Sequence, residues 1–534
     1  MNKKSKTKSE DRITSGGMDK IVSLCKRRGF VFPGSEIYGG LSNSWDYGPL
    51  GVELKNNIKN LWWKRFVQTR EDMVGLDAAL IMNPKTWEAS GHLNEFTDPL
   101  VECKECHTRF RINEHWSDKV WWDLARYLAQ ESLSSKEREE AVQDALKVCP
   151  QCKAKGKFTV PKNFNLMFKT YVGVAEGKAD TVYLRPETAQ SIFVNFKNIL
   201  DTTRKQLPFG VGQVGKAFRN EITPGNFVFR TREFEQMEVE YFVREKEWKK
   251  WFEHWRGEMF EWIKEIGLDT KSIHEYEHPE KDRAHYSKKT IDFEYDFPFG
   301  RKELYGLSYR ADFDLKNHEK ASGADLRYTD VNSERFICEK CGAEKLFKYP
   351  PGVSEKIGGA RAKMSSMTIK PGKCEKCSGK YVPENKFWPH VIEPSLGVDR
   401  SFLAVLVSAY TEEPVKSNDH GPGTEMRVVL KLKPQLAPYK AAVFPLLKNK
   451  PELIKLAHKV YDDLRKHFLV AWDDRGNIGK RYFSQDEIGT PYCITVDFDS
   501  LKDKTVTLRD RDTMKQKRVK IDDLKEILHR QLFG

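Results

Sequence analysis

The residues best suited to chemistry by type and spacing lie between 217 and 242, in the stretch AFRNEITPGNFVFRTREFEQMEVEYF. The pattern predicts two antiparallel strands joined by a turn at 223–226, where proline, glycine and asparagine supply turn chemistry. Because side chains alternate between the faces of a strand, one face of this hairpin is cationic, aromatic and acidic. That face is expected to carry Arg219, Glu221, Arg232, Phe234, Gln236, Glu238 and Glu240. It suits a ligand with phosphate, a flat ring and an ammonium group; the alternative is a solvated face with cross-strand ion pairs.

Cysteines supply the second set of chemical groups. Eight of the ten form four Cys-x-x-Cys pairs, namely Cys103/Cys106, Cys149/Cys152, Cys338/Cys341 and Cys374/Cys377. The first two pairs are predicted to form one four-thiolate zinc site and the last two a second, since each couple of turns brackets one insertion. A redox role is the alternative, but no thioredoxin-like βαβ pattern accompanies the pairs. Without a secretory signal, such pairs favour zinc and a reducing compartment over a disulfide scaffold.

Length and charge narrow the class of protein. The chain has 534 residues, enough for about three domains and a large core. A formal net charge of +13 favours a polyanionic partner, nucleic acid first, although ordinary solubilising lysine gives the same balance. No apolar run reaches about 18 residues, so no membrane span is expected. Residues 1–17 are expected to be a disordered basic tail.

The remaining patterns predict the elements that position these groups. Helices are predicted at 18–30, from Val52 onward behind Pro49, across 123–148 and over a Trp-rich stretch at 245–267. The aromatic residues of the last helix are expected in the core, in preference to a base-stacking platform. The apolar hairpin residues Met237, Val239 and Tyr241, and the alternating residues of 291–297, are expected to face a core. Beyond 424 the β–α–β order predicts a small α/β domain.

Three motifs in chain order carry a family resemblance. FRNE, a loop and FRTREFEQME closely resemble the second signature motif of class II aminoacyl-tRNA synthetases, in the form found in dimeric glycyl-tRNA synthetases. YGPLGVELKNNI resembles the first motif, which builds the dimer interface in that family. HVIEPSLGVDRSFLAVLVSAY resembles the third, a strand leading into a helix that carries an arginine. The resemblance covers roughly residues 18–534, apart from an insertion at 331–386.

The resemblance implies an α+β fold. An antiparallel class II catalytic sheet flanked by helices is expected over 18–410, with zinc-knuckle insertions at 101–160 and 331–386. A polar linker is expected at 411–424, followed by a C-terminal α/β anticodon-binding domain at 425–534. The second insertion departs from the simplest family pattern, in which a short link joins the two flanking strands. Its lysine-rich loop between the cysteine pairs is expected to be mobile and to grip the tRNA acceptor arm.

The activity implied is the ATP-dependent attachment of glycine to tRNA(Gly) through a glycyl-adenylate. ATP, Mg²⁺, glycine, tRNA(Gly) and a second copy of the chain are the implied partners, two structural Zn²⁺ are expected per chain, and the cytoplasm is the expected location. Two alternatives stay open. The first is a class II synthetase for another small amino acid, such as serine, proline or threonine. The second is a paralogue that binds nucleic acid and has lost catalysis.

The resemblance also implies residue roles on the ATP side. Arg219 is placed at the α-phosphate and Arg400 at the adenine and γ-phosphate side, and these two are the implied catalytic residues. Phe234 would stack on adenine, Glu221 would accept from its amino group, and Glu303 is a candidate Mg²⁺ ligand. The further implied ATP-binding residues are Asn220, Phe229, Arg230, Arg232, Leu304 and Gly397.

On the glycine side the resemblance implies an acidic cluster. Glu187, Glu238 and Glu393, with the hydroxyl of Ser395, would surround the ammonium group and exclude larger side chains. Arg310, or less securely Arg111, would bind the carboxylate end. Phe234, Gln236 and Gly397 complete the implied glycine-binding set. Thr188 is expected to cap the helix that follows Glu187.

Overall fold

The computed structural model describes residues 16–130, 132–173, 180–222, 225–284, 286–330, 335–346, 373–383, 386–416 and 422–533. Several predicted features fall wholly or partly outside these ranges: most of the N-terminal tail, half of the turn at 223–226, the lysine-rich loop of the second insertion, and residues 417–421 of the expected linker. Residues 16 and 17, expected in the tail, belong to the first helix instead.

Helices in the described residues follow closely from sequence periodicity. They are α1 (Gly16–Arg28), α2 (Pro49–Trp63), α3 (Pro84–Ala89), α4 (His92–Glu95), α5 (Ile112–His115), α6 (Asp118–Leu128), α7 (Ser135–Leu146), α8 (Ala189–Thr203), α9 (Trp248–Glu265), α10 (Phe313–Ser322), α11 (Val398–Ala409), α12 (Pro451–Leu464), α13 (Ile478–Ile488), α14 (Phe498–Asp503) and α15 (Leu524–Phe533). Pro49 opens α2, where its fixed φ suits the first helical position. The predicted helix at 123–148 is two helices, because Ser134 and Glu137 form a capping box that starts α7.

Strands are short outside the central sheet. They are β1 (Val31–Pro33), β2 (Trp45–Tyr47), β3 (Met73–Gly75), β4 (Thr97–Glu102), β5 (Arg109–Arg111), β6 (Lys162–Asn165), β7 (Lys169–Val172), β8 (Asp180–Tyr183), β9 (Phe209–Phe218), β10 (Glu233–Val243), β11 (Ile273–Glu277), β12 (Lys289–Phe297), β13 (Gly300–Ala311), β14 (Tyr328–Thr329), β15 (Arg335–Cys338), β16 (Glu344–Leu346), β17 (Tyr381–Pro383), β18 (Lys386–Phe387), β19 (His390–Gly397), β20 (Tyr410–Lys416), β21 (Pro422–Leu430), β22 (Ala441–Pro445), β23 (Val470–Trp472), β24 (Tyr492–Val496), β25 (Thr505–Asp510) and β26 (Gln516–Lys520).

Seven strands form the central sheet, in the order β11-β12-β13-β19-β10-β9-β3. Neighbours pair antiparallel throughout, except that β3 runs parallel to β9. Helices α1, α2, α9 and α11 contribute to the core on one face, and α8 contributes to the core on the other. The prediction of an α+β fold built on an antiparallel sheet is therefore confirmed.

Strand alternation predicted the buried residues of this sheet well. Met237, Val239 and Tyr241 are fully buried in the larger core, as are the apolar positions of β12. Trp255 and Trp262 of α9 are also fully buried, so the Trp-rich helix is a core element. Gln236 and Glu238 of β10 lie on the other face, where Glu238 binds Thr188 at the N-terminal end of α8.

The first predicted strand of the central hairpin is wrong beyond Phe218. Strand β9 ends there and β10 begins at Glu233; the described residues between them, 219–222 and 225–232, lie outside these strands and include one helical turn at Phe227–Phe229. The chain leaves the ladder because the Asn220 amide donates to the carbonyl of Leu166, 2.8 Å away in a distant segment. The predicted alternation of faces over 218–222 therefore does not apply.

A small sheet accompanies each predicted insertion, although β6 and most of β4 lie outside the predicted bounds 101–160 of the first. In the first, β5-β4-β6 packs with α6 and α7 around a core that includes Cys103 and Cys149. In the second, β16-β15-β17 packs around Cys338 and Cys374. The cysteine turns therefore lie inside the small cores that they are expected to stabilise.

The C-terminal domain is α/β, as predicted, with the strand order β23-β22-β24-β25-β26. Its first three strands are parallel and the last two pairings are antiparallel. Residues 411–416 and 422–424 of the expected linker belong to β20 and β21, which pair antiparallel, while 417–421 lie outside the described ranges. Leu430 and Leu432 then pack into the core of the catalytic domain. Among the described residues, no helix combines the length and apolarity needed to cross a membrane.

Candidate active site

A cavity of about 140 Å³ lies over the ends of β10, β13 and β19. It brings together most of the predicted ATP-binding residues: Arg219, Glu221, Phe229, Arg230, Phe234, Glu303, Leu304, Gly397 and Arg400. We call it the arginine cavity. Asn220 and Arg232 instead line a neighbouring cavity of about 840 Å³, on the side of the segment 41–47. Phe234 lines both cavities.

Arg219 is held beside two aromatic rings. Its guanidinium carbon lies 5.3 Å from the ring centre of Phe234 and 5.4 Å from that of Phe96. Its Nε donates to the carbonyl of Pro186 at 3.1 Å. Cation–π contact and one fixed hydrogen bond orient the planar fork, which is the geometry that recognises phosphate oxygens.

Arg400 enters the same cavity from the first turn of α11. Its Nη1 lies 3.0 Å from Glu303 Oε2, and its guanidinium carbon is 4.6 Å from the ring centre of Phe229. The charge of Arg400, which outweighs partial burial, holds the pKa of Glu303 below its ordinary value. Glu303 is therefore ionised at neutral pH and remains available to a cation.

Asp292 is a carboxylate of this site that the sequence patterns missed. Glycine has no Cβ atom, but one placed on Gly306 would lie 4.0 Å from Asp292 Oδ1 and 4.0 Å from Glu303 Oε1. The two carboxylates therefore both lie beside Gly306. Burial first, and then Glu303, raises the pKa of Asp292 to about 6. Two convergent carboxylates fit the oxygen ligands that Mg²⁺ prefers.

Glu238 is the fixed centre of an acidic pocket next to the arginine cavity. Its Oε2 accepts from the Thr188 amide at 3.1 Å and from the Thr188 hydroxyl. Its Oε1 accepts from Ser395 Oγ at 2.7 Å and from Gln236 Nε2 at 2.9 Å. Thr188 stands at the N-cap position of α8, but the capping prediction is wrong because its hydroxyl binds Glu238.

Glu187 is the second wall of the acidic pocket, which we define as Glu187, Glu238, Glu393 and Ser395. Gln190 Nε2 donates to its Oε1 at 3.0 Å, and His92 Nε2 lies 3.4 Å from its Oε2. Burial opposes ionisation, but His92 and Arg310 outweigh it and hold the pKa of Glu187 well below its usual range. His92 was missed because it lies in a loop-rich stretch far from the motifs.

Glu393 and Arg310 form the buried floor of the acidic pocket. Arg310 Nη1 donates to Glu393 Oε2 at 2.8 Å, while its Nε and Nη2 donate to both carboxylate oxygens of Asp314. Burial raises the pKa of Glu393 to about 8; Glu238 and Glu187 add to this and Arg310 opposes it. Three donors of Arg310 are thus engaged within the chain, and its role as a ligand of the substrate carboxylate stays a prediction.

Arg111, the weaker candidate for that role, lies on β5 of the first insertion. Its Nη2 donates to Asp98 Oδ1 at 2.6 Å, and both side chains are largely shielded from solvent. The structure thus places it in the insertion sheet and engages it with a carboxylate of the chain.

Comparison with known families addresses both halves of the chain. A family model described as "tRNA synthetase class II core domain (G, H, P, S and T)" matches residues 171–410, and one described as "Anticodon binding domain" matches 440–531. Glycine--tRNA ligase of Caldanaerobacter subterraneus subsp. tengcongensis is 48% identical over 96% of this chain and 98% of its own. Glycine--tRNA ligase of Geobacillus thermodenitrificans is 48% identical over 98% and 99% respectively. The chain belongs to the glycine--tRNA ligase family.

Both cysteine quartets of this member of the glycine--tRNA ligase family are assembled in the structure. Within each quartet, Cys103/Cys106/Cys149/Cys152 and Cys338/Cys341/Cys374/Cys377, the sulfur atoms lie within 4.8 Å of one another. Thiolates at such distances fit the closed tetrahedral geometry of a structural zinc site. The predicted pairing of consecutive Cys-x-x-Cys turns is confirmed.

Glu240 is a further buried acid of the site. Side chains alternate along β10, so it shares the face of Glu238, and the strand register sets it opposite Glu393. Both of its oxygens are buried without a hydrogen-bond partner among the described residues. Burial first, and then Glu393, raises its pKa well above the ordinary value. The sequence placed Glu240 on the polar face, and no residue-type signal indicated that its oxygens are buried without a hydrogen-bond partner among the described residues.

Proposed function

We propose that the chain attaches glycine to tRNA(Gly) in two steps, at the site formed by the arginine cavity and the acidic pocket. The observation that carries the proposal is their shared wall. Gln236 and Ser395 line the arginine cavity and also donate to Glu238 of the acidic pocket. A ligand with an ammonium group at Glu238 therefore has its other end beside two guanidinium groups.

In the first step the glycine carboxylate attacks the α-phosphorus of ATP, and pyrophosphate leaves with the electrons of the broken P–O bond. The attacking group is already ionised, so positioning and charge stabilisation are the tasks of the protein. Arg219 is assigned to the α-phosphate, Arg400 to the adenine and γ-phosphate side, and Phe234 to stacking on adenine. Mg²⁺, held by Glu303 and Asp292, would neutralise phosphate charge when bound.

In the second step a ribose hydroxyl at the tRNA 3′ end attacks the carbonyl carbon of glycyl-adenylate, and AMP leaves. The basic net charge of the chain supports binding of a polyanion. The C-terminal domain, which matches the anticodon-binding family model, would hold the distant end of the same tRNA. The two domains would therefore divide activation and tRNA selection between them.

Glycine has no side chain, so selectivity rests on exclusion. Glu187, Glu238 and Glu393 are assigned to the ammonium group, with Arg310 as the cation that keeps Glu393 in place. Glu238 is fixed by four donors, and Glu187 and Glu393 are each tied to neighbours. A pocket with such anchored walls does not widen to admit a larger amino acid.

Pyrophosphate exchange with labelled ATP tests this function directly. Exchange that depends on glycine, with serine, proline, threonine and alanine inactive, is the expected result. Exchange with serine, proline or threonine would favour a synthetase for another amino acid. No exchange with any amino acid, together with retained tRNA binding, would favour a non-catalytic paralogue.

Assembly and location are proposed on separate grounds. Ile37 and Tyr38 are 87% and 86% exposed, and Leu41 of the same loop is also exposed. Such an apolar cluster at the entrance to the first motif supports a homodimer that covers it. None of the ten cysteines of the chain, all within the described residues, forms a disulfide bond, which supports a reducing, cytoplasmic location.

A further inference from the structure

We propose that Asp399 is a positioning residue for ATP activation, because its carboxylate locks the start of α11 to β10 and so sets the separation of Arg400 and Phe234. The inference rests on the proposed function, which assigns those two side chains to ATP. Asp399 directly precedes Arg400, and Glu235, its partner on β10, directly follows Phe234. A shift at either anchor therefore moves one side of the arginine cavity.

The first anchor replaces a missing strand contact. Strand β19 pairs with β10 as far as Gln236 and Gly397, after which the chain of β19 turns into α11. Asp399 Oδ2 accepts from the Glu235 amide at 2.7 Å. The carboxylate of Asp399 thus accepts the hydrogen bond that a backbone carbonyl of β19 would accept if the strand continued. The donor is the residue directly before Gln236 on β10.

The second anchor ties the same carboxylate to the first motif. Asp399 Oδ1 accepts from Lys55 Nζ at 2.9 Å and from the hydroxyl of Tyr47. Lys55 also lies 2.8 Å from Glu235 Oε2, so one ammonium group of α2 binds both β10 and α11. Asp399 and Lys55 are both buried, which keeps solvent from competing for these contacts.

The charges of Lys55 and Glu235 at this junction persist at neutral pH. Burial lowers the pKa of Lys55, but Asp399 and Glu235 outweigh it and raise that pKa above its ordinary value. Lys55 and Lys59 similarly overcome burial and hold the pKa of Glu235 below its usual range. Segments of all three sequence motifs therefore meet at a charged, buried junction next to the arginine cavity.

The test is a comparison of Michaelis constants in pyrophosphate exchange. Asp399→Asn should raise KM for ATP by about tenfold or more, because small displacements of positioning groups cost that much, and should leave KM for glycine within about twofold. Tyr47→Phe removes one hydrogen bond without leaving a charge unpaired. It should change KM for ATP in the same direction by a few fold. If Asp399→Asn does not fold, the effect of Tyr47→Phe on KM for ATP and KM for glycine alone tests the positioning role.

Asp72→Asn is the matched control. Asp72 also joins a loop to β10, because its Oδ2 accepts from the Tyr241 hydroxyl at 2.8 Å and from Arg70 Nη2 at 2.8 Å. This variant should lower the melting temperature without changing the ratio of KM for ATP to KM for glycine. Equal changes in KM for ATP and glycine in the Asp399 and Tyr47 variants, or no change in either, would overturn the positioning role. Absence of exchange in the unmodified protein would refute the proposed function instead.

Discussion

Arg310 Nη1 and Glu393 Oε2 are 2.8 Å apart, and both side chains are buried beneath the acidic pocket. Asp314 occupies two further donors of Arg310, so the guanidinium organises acids of the chain. The predicted contact with the substrate carboxylate would therefore use its remaining N–H groups. Breaking a buried pair by removing one partner leaves an uncompensated charge, which is strongly destabilising.

We expect glycine binding to release a proton below about pH 8. Glu393 has a pKa of about 8 in the folded chain, against 4.5 for an ordinary glutamate. Its contribution to the free energy of unfolding is therefore largest below pH 4.5 and is lost as the pH rises through 8. The ammonium group of glycine favours the ionised form, so binding at pH 7 should release up to about one proton. Calorimetry in two buffers of different ionisation enthalpy measures this number.

Glu393→Gln is the control for that measurement. The amide keeps the shape of the side chain and cannot ionise, so any residual glycine binding should release no proton near pH 7. Release in the unmodified protein should also fade above pH 9. Proton uptake at pH 7 would contradict the assignment of Glu393 to the ammonium group.

Arg219→Ala should reduce glycine-dependent pyrophosphate exchange by at least about 10²-fold, because one charge contact to the transition state is removed. Its fold should persist, since the side chain is only partly buried and, among the described residues, its Nε donates to the backbone carbonyl of Pro186. Circular dichroism and tRNA affinity check the fold. Arg465→Ala, at an exposed arginine directly after α12, should leave exchange unchanged. Near-normal exchange after Arg219→Ala would remove Arg219 from the site.

Much of the fold could be predicted because burial follows local periodicity. The alternation of β12 and of the apolar residues in β10 survives in the structure, as does the helical stripe of α9. Residues 218–222 alternate just as clearly, yet the chain leaves the sheet there. The deciding contact, between the Asn220 amide and the Leu166 carbonyl, joins segments more than fifty residues apart in sequence. Local pattern carries no information about such a contact.

The candidate site, like the fold, could be predicted only in part from the sequence. The family resemblance implied the residues that line the arginine cavity, although they come from strands β10, β13 and β19, from the residues between β9 and β10, and from the start of α11. It did not predict how Arg310 is used, since Asp314 four residues later resembles an ordinary helix-surface acid. His92 and Asp292 were missed because their importance comes from burial beside Glu187 and Glu303, which only the folded chain reveals.

Tyr38→Asp should convert a dimer to monomers if the exposed loop at 35–41 is the contact between copies. A carboxylate placed in a desolvated apolar interface carries a large penalty, so the dissociation constant should rise by at least about tenfold. Sedimentation equilibrium measures this change. Tyr171→Asp, at another exposed tyrosine on β7, is the control and should remain dimeric. An unchanged dimer in the Tyr38 variant would place the contact elsewhere.

Phe498→Ala should weaken tRNA charging while leaving glycine activation unchanged. Phe498 and Leu447 are exposed just after the carboxyl ends of the parallel strands β24 and β22, where open α/β sheets bind ligands. Loss of one stacking surface should raise KM for tRNA by about five- to a hundredfold. Phe533→Ala, at an exposed aromatic of the last helix, should change neither constant. Equal losses of charging and exchange would contradict the division of labour between the domains.

Elemental analysis should find two Zn²⁺ per chain after gentle purification. Each quartet offers four sulfur ligands that leave no open coordination position, so both metals are expected to be structural. Cys106→Ser and Cys341→Ser should each reduce the count to one and lower the melting temperature. Because neither metal contacts substrate, exchange by the folded Cys341 variant should stay within about threefold of normal.

Cys493→Ser is the matched control for the zinc measurement, since Cys493 is buried but belongs to neither quartet. It should retain two Zn²⁺, which separates metal loss from general destabilisation of a buried cysteine site.

Deletion of the predicted acceptor-arm loop, residues 347–372, tests its role independently of the metal. Reduced tRNA affinity with a shallower salt dependence is expected, because phosphate contacts release counterions. Fewer than two zinc ions in the unmodified protein would refute the metal assignment, and an unchanged salt slope would leave the loop without a role in binding tRNA.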